Sequence, residues 1–134
     1  MPEQDDIMAA RDQHYRIVDE PAMRRAELQV TGGDYGASSY TTKAQADRLA
    51  GSLGLGPGKL FLDIGSGSGW PGIYMAASTG APVVLTDIPL EGLRVASRRL
   101  RRDDVDGHVV VASGSTLPFR DDTFDAVTSS DVFC

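Results

Sequence analysis

The segment from Leu60 to Trp70, which reads LFLDIGSGSGW, constrains the fold more than any other part of this 134-residue chain. An apolar run ending near Asp63 passes directly into Gly65, Gly67 and Gly69, and Pro71 then opens a helix-forming stretch. Strand, glycine turn and helix in immediate succession form the entry to a parallel α/β unit. Glycines let the backbone turn tightly and approach a ligand with no side chain between, while the helix start offers unpaired amides. An elongated polar ligand lying across this loop is therefore expected.

The remaining sequence supplies the context that a lone glycine motif lacks. Beyond Lys59, short apolar runs bounded by glycine or aspartate alternate with longer amphipathic stretches, as in parallel strands joined by helices. Strands are expected from Leu60 to Ile64, Pro82 to Thr86, His108 to Ala112 and Phe124 to Ser129, with helices from Pro71 to Thr79 and Pro89 to Arg102. Each of these helices opens with a proline, which suits the first turn. Upstream, Ile7, Met8, Arg11, Tyr15 and Val18 fall at helical spacing, and Pro21 can begin a second helix. Val30 to Ser39 has turn chemistry and reads as a loop or lid, and Thr41 or Thr42 can cap a helix carrying Ala46, Leu49, Ala50 and Leu53. The predicted organisation is a helical appendage over residues 1–58 and a core over residues 59–134.

Composition narrows the partners. Hydrophobic residues at 41% and charged residues at 24% are ordinary for a soluble globular protein, and no apolar stretch approaches the roughly 20 residues that span a bilayer. The acidic start argues against a secretory leader, so a cytoplasmic location is expected. A net charge of −6 opposes binding to phosphate backbones and anionic lipid, so neither nucleic acid nor membrane is an expected partner. The one dense basic patch, Arg94, Arg98, Arg99, Arg101 and Arg102, reads as a solvated face near the end of a helix. Cys134 is the only cysteine, which rules out an internal disulfide or a multi-cysteine metal site, and no metal is expected.

The glycines leave the ligand open, because Gly67, Gly69 and Gly72 also fit the dinucleotide fingerprint. Asp87, 20 positions beyond Gly67, stands where either nucleotide-binding fold places a carboxylate for ribose hydroxyls. Asp63 separates the two readings. A carboxylate just ahead of the glycines disfavours a nearby pyrophosphate but suits a cationic ligand, such as a sulfonium compound with an amino-acid tail.

With these residues in hand, Lys59 to Phe133 resembles a class I S-adenosylmethionine-dependent methyltransferase of the small-molecule type, in its N-terminal portion. Asp63, Gly65, Ser66, Gly67, Gly69 and Trp70 resemble the family's first motif, which cradles the methionine part of the cofactor. Asp87 with Ile88 resembles the ribose-binding position, and Ser113, Gly114 and Ser115 resemble the segment beside the adenine. Phe124 to Val127 resembles the fourth strand, after which the resemblance implies Ser130 at the cofactor site and Asp131 where relatives often place substrate-facing residues. The resemblance implies S-adenosyl-L-methionine as cofactor and an α/β, Rossmann-like parallel sheet of order 3-2-1-4 preceded by N-terminal helices.

The chain departs from the family pattern at Ser113, where many relatives carry an aspartate, and in stopping after the fourth of seven strands. A missing C-terminal segment or a homo-oligomer is expected, because a fourth strand left as an edge invites pairing. Ser129-Ser130-Asp131-Val132 lacks the pattern of base amino-group methylation, which leaves a small-molecule acceptor. No catalytic residue is assigned. His14, Tyr15, Tyr35, Tyr40 and Asp131 are available bases, with packing the expected role of His14, Tyr15 and His108. A nicotinamide-dependent oxidoreductase and a non-catalytic cofactor-binding module are the competing readings.

Overall fold

The computed structural model describes residues 3–32 and 39–130. Three helices lead: α1 (Gln4–Ile17), α2 (Pro21–Thr31) and α3 (Lys43–Ser52). Strand and helix then alternate as β1 (Phe61–Ile64), α4 (Gly72–Thr79), β2 (Val83–Asp87), α5 (Leu90–Arg102), β3 (Gly107–Val111) and β4 (Ala126–Ser129). The four strands form one parallel sheet of order β3-β2-β1-β4, as expected.

Local chemistry accounts for the element ends. Thr42 and Gln45 form a reciprocal capping box at the start of α3, which satisfies two amides with no partner inside the helix. Asp5 and Asp6 in the first turn of α1, with Arg16 in its last, complement the helix dipole. Pro21 occupies the first turn of α2 as expected, but Pro71 and Pro89 sit one residue ahead of their helices, at the cap. Helix α2 also runs through Val30, so the expected loop begins later; residues 33–38 lie outside the described residues.

Strand β1 is central and β2 is buried along nearly its whole length, which explains why their sequences run apolar without alternation. Phe61, Val83 and Leu85 meet Ile73 and Met75 of α4 and Leu100 of α5 in one apolar cluster, which Ala46 and Ala50 of α3 also join. Each large side chain so buried contributes about 1.5–3 kcal/mol. A second cluster of Tyr15, Val18 and Val95 seats α1 on α5. Among the described residues no helix is long and apolar enough to cross a membrane.

This topology decides where a ligand can lie. From β1 the chain crosses to β2 on one side and, after β3, returns to β4 on the other. The crevice beyond the carboxyl ends of β1 and its neighbours is the position where open α/β sheets bind ligands.

Candidate functional site

The glycine loop fills that crevice. Gly65 and Ser66 both donate their amides to the Thr86 carbonyl, at 2.8 and 3.0 Å, so the loop is bound to the end of β2. Gly67 donates to Oδ2 of Asp87 at 2.8 Å, and Oδ1 of the same carboxylate accepts from the Ile88 amide at 2.8 Å. Gly69 has φ 104°, and a Cβ there would lie 2.4 Å from Cδ1 of Ile73, so both conformation and space require glycine.

Gly72 has a different task. A Cβ at this position would lie 2.8 Å from Oδ2 of Asp63 and 2.9 Å from Cδ2 of Leu85. The residue lets α4 pack tightly on the sheet, and this packing need explains its match to the third fingerprint glycine.

A cavity of about 440 Å³ opens beside the loop. Gly65, Ser66, Trp70, Asp87 and Ser130 line it from the sheet side, and Ile7, Ala10, Arg11, His14 and Tyr15 of α1 line it from the other. Ile7, Arg11 and His14 recur at helical spacing, so one face of α1 is turned to the cavity. Of the sequence-derived site residues, Gly65, Ser66, Trp70, Asp87 and Ser130 therefore meet at one cavity. Gly67 and Gly69 shape the loop behind it, and Ile88 is half-exposed just beyond Asp87.

Asp63 does not line the cavity. It is 2% exposed and lies beneath the loop, where Thr128 of β4 donates to Oδ1 at 2.7 Å. Burial pushes its pKa up to about 7; the Thr128 hydrogen bond opposes the rise and the neighbouring Asp87 charge adds to it.

Ser113, Gly114 and Ser115 follow β3 in a short turn in which the Ser113 hydroxyl meets both the Ser115 hydroxyl, at 2.8 Å, and its amide, at 3.3 Å. The turn sits against the site's edge. Ala112 donates to the Asp87 carbonyl, and a Cβ on Gly114 would come within 3.0 Å of Ile64. Trp70 is buried, donates from Nε1 to the Thr41 carbonyl at 2.8 Å, and packs against Tyr74. The Thr41 hydroxyl in turn bonds that of Ser130. Trp70 thus both borders the cavity and fastens the chain ahead of α3.

Other expectations are corrected. Tyr15 is buried, as packing required, yet also borders the cavity beside His14. Tyr40 is 83% exposed and does not line the cavity, while Tyr35 and Asp131 lie outside the described residues. His108 is an exposed residue of β3, not a packing one. Arg94, Arg98, Arg101 and Arg102 do form a solvated face, but Arg99 is 2% exposed and turns inward. Its Nη1 donates to the Ser68 carbonyl at 3.0 Å and its Nη2 to Asp19 at 2.7 Å. Helical spacing set Arg99 apart from its neighbours, but density of charge obscured it. Ser39, the end of the segment read as a loop or lid, also borders the cavity, as does Ala10, which nothing in its sequence context marked.

A parallel sheet of this order, with a glycine loop after β1 and a carboxylate at the end of β2, defines a nucleotide-binding α/β domain. Residues 62–134, more than half of the chain, match the family model described as a methyltransferase domain. The chain belongs to this family, the S-adenosylmethionine-dependent methyltransferases of class I. It is 33% identical over 120 residues to an uncharacterised protein of Mycobacterium tuberculosis, covering 84% of this chain and 43% of that protein. It is 40% identical over 88 residues to 27-O-demethylrifamycin SV methyltransferase of Amycolatopsis mediterranei, covering 64% and 32%. A S-adenosylmethionine-dependent methyltransferase of Thiobacillus denitrificans, solved with S-adenosylhomocysteine, superposes with a TM-score of 0.62 at 21% identity, covering 85% and 42%. The chain therefore spans less than half the length of these relatives.

Proposed function

We propose that the chain binds S-adenosylmethionine across the glycine loop and serves the transfer of its methyl group to a small-molecule acceptor. The observation that carries this reading is the Asp87 carboxylate, which braces the Gly67 amide and at the same time borders the cavity. Each carboxylate oxygen has a second lone pair, so Asp87 keeps capacity for ribose hydroxyls after accepting from Gly67 and Ile88. The small-molecule class is supported by the acidic net charge and by the relative that acts on a rifamycin.

The bound cofactor supplies an electrophilic methyl group, and transfer then depends mainly on alignment and on exclusion of water. Gly65 and Ser66 bring main chain to the ligand, while α1 covers the cavity from the opposite side. Trp70 walls one end, and Asp63 places a titratable carboxyl under the loop. His14 and Tyr15 are the base candidates that share the cavity with Asp87, so an acceptor hydroxyl or amine seated there has a proton acceptor within the same walls.

Titration calorimetry with S-adenosylhomocysteine tests the reading. One site with micromolar affinity is expected, and a folded chain that takes up no S-adenosylhomocysteine and no S-adenosylmethionine overturns it.

A further inference from the structure

We propose that Arg99 is a positioning residue that ties the glycine loop to the junction of α1 and α2, so that docking of α1 and occupancy of the cofactor site reinforce each other. The coupling to ligand rests on the cofactor reading above; the tie itself does not.

Arg99 projects from α5, and its guanidinium is shared between two partners far apart in sequence. Nη1 donates to the Ser68 carbonyl, 31 residues away and between Gly67 and Gly69 in the loop. Nη2 pairs with Asp19, 80 residues away in the turn joining α1 and α2. Burial lowers the Arg99 pKa, against which the Asp19 hydrogen bond and charge act most strongly and the Glu27 charge also acts, while Arg102 adds to the lowering.

A guanidinium this deep requires its counter-charge, because removing one partner of a buried pair leaves the other uncompensated. Asp19 supplies the larger share of it from the helical junction while remaining 45% exposed itself, and the Glu27 charge of α2 adds to it. When α1 lifts, Asp19 leaves with it, and Arg99 must turn toward water and release the Ser68 carbonyl. A second contact joins the same three parts. A Cβ on Gly92 of α5 would lie 3.0 Å from the Tyr15 ring and 3.1 Å from the Gly67 carbonyl carbon. Helix α1, helix α5 and the loop thus converge at one point, and the same α1 lines the cavity through Arg11 and His14. A ligand that contacts α1 holds it down and thereby holds the loop, and the coupling is reciprocal by necessity.

The test compares the full chain with Asp19→Asn, a change at a half-exposed position, by hydrogen exchange and by calorimetry with S-adenosylhomocysteine. The variant is expected to exchange about tenfold faster across α1 and residues 65–69, with residues 83–87 unchanged, and to bind about tenfold more weakly. Asp19→Glu is expected to restore both. Unchanged loop exchange in Asp19→Asn, or acceleration spread equally into residues 83–87, overturns the tie; unchanged affinity with a loosened loop overturns the coupling. Absence of binding by the unaltered chain removes the cofactor reading, while the exchange comparison still decides the tie.

Discussion

The amide of Gly67 donates to Oδ2 of Asp87 across 2.8 Å, joining the turn after β1 to the end of β2. One carboxylate therefore shapes the loop and faces the cavity, and its removal has two consequences at once. Asp87→Ala is expected to weaken S-adenosylhomocysteine binding on the order of 10- to 100-fold, since charge-assisted hydrogen bonds contribute about 1.5–3 kcal/mol each. Calorimetry measures the loss, and an affinity equal to that of the unaltered chain contradicts the assignment.

Asp63 links stability to pH. Its pKa is about 7 in the fold against 3.8 for the free side chain, so the fold holds a proton that the unfolded chain releases. Its stabilising contribution is full below about pH 4 and is lost as pH rises toward 7. Asp63→Asn mimics the neutral acid at every pH. Its melting temperature relative to the unaltered chain is expected to rise across that window by several degrees and to level off above it. Thermal scans from pH 4 to pH 9 check this, and a constant difference refutes it.

Gly72→Ala sets two effects against each other. Alanine in a helix gains roughly 0.5–1 kcal/mol over glycine, but here the added carbon meets Asp63 at 2.8 Å and Leu85 at 2.9 Å. Overpacking of this kind costs about 1–3 kcal/mol, so net destabilisation is expected. A lower urea midpoint with an unchanged slope is the predicted result, and a higher midpoint contradicts it.

Trp70→Phe keeps an aromatic ring near Tyr74 while deleting the Nε1 bond to the Thr41 carbonyl. A loss of about 1 kcal/mol in unfolding free energy is expected from urea titration. No change would mean that the Thr41 anchor contributes nothing.

Strands β1 and β2 were legible because strands buried on both faces are mainly apolar, as at Phe61, Leu62 and Ile64 and from Val83 to Leu85. Gly65, Gly67 and Gly69 were legible for a similar reason: a backbone with positive φ at each of them favours glycine whatever lies nearby. Such signals are written into neighbouring residues, so the sequence by itself determined the element order, the loop and the carboxylate that ends β2.

Only the tertiary structure decided where long or buried polar side chains found partners. Arg99 looked like its four exposed neighbours until α5 docked and brought Ser68 and Asp19 to it from 31 and 80 residues away. Asp63 was legible as a carboxylate of the ligand's site, but its burial beside Thr128 on β4, 65 residues later, was not. The face of α1 that lines the cavity had the spacing of an ordinary amphipathic helix, and its role followed from where Tyr15 and Val18 seat it on Val95. Backbone geometry is set by short-range sterics, whereas a buried charge takes whichever partner the assembled layers leave within reach.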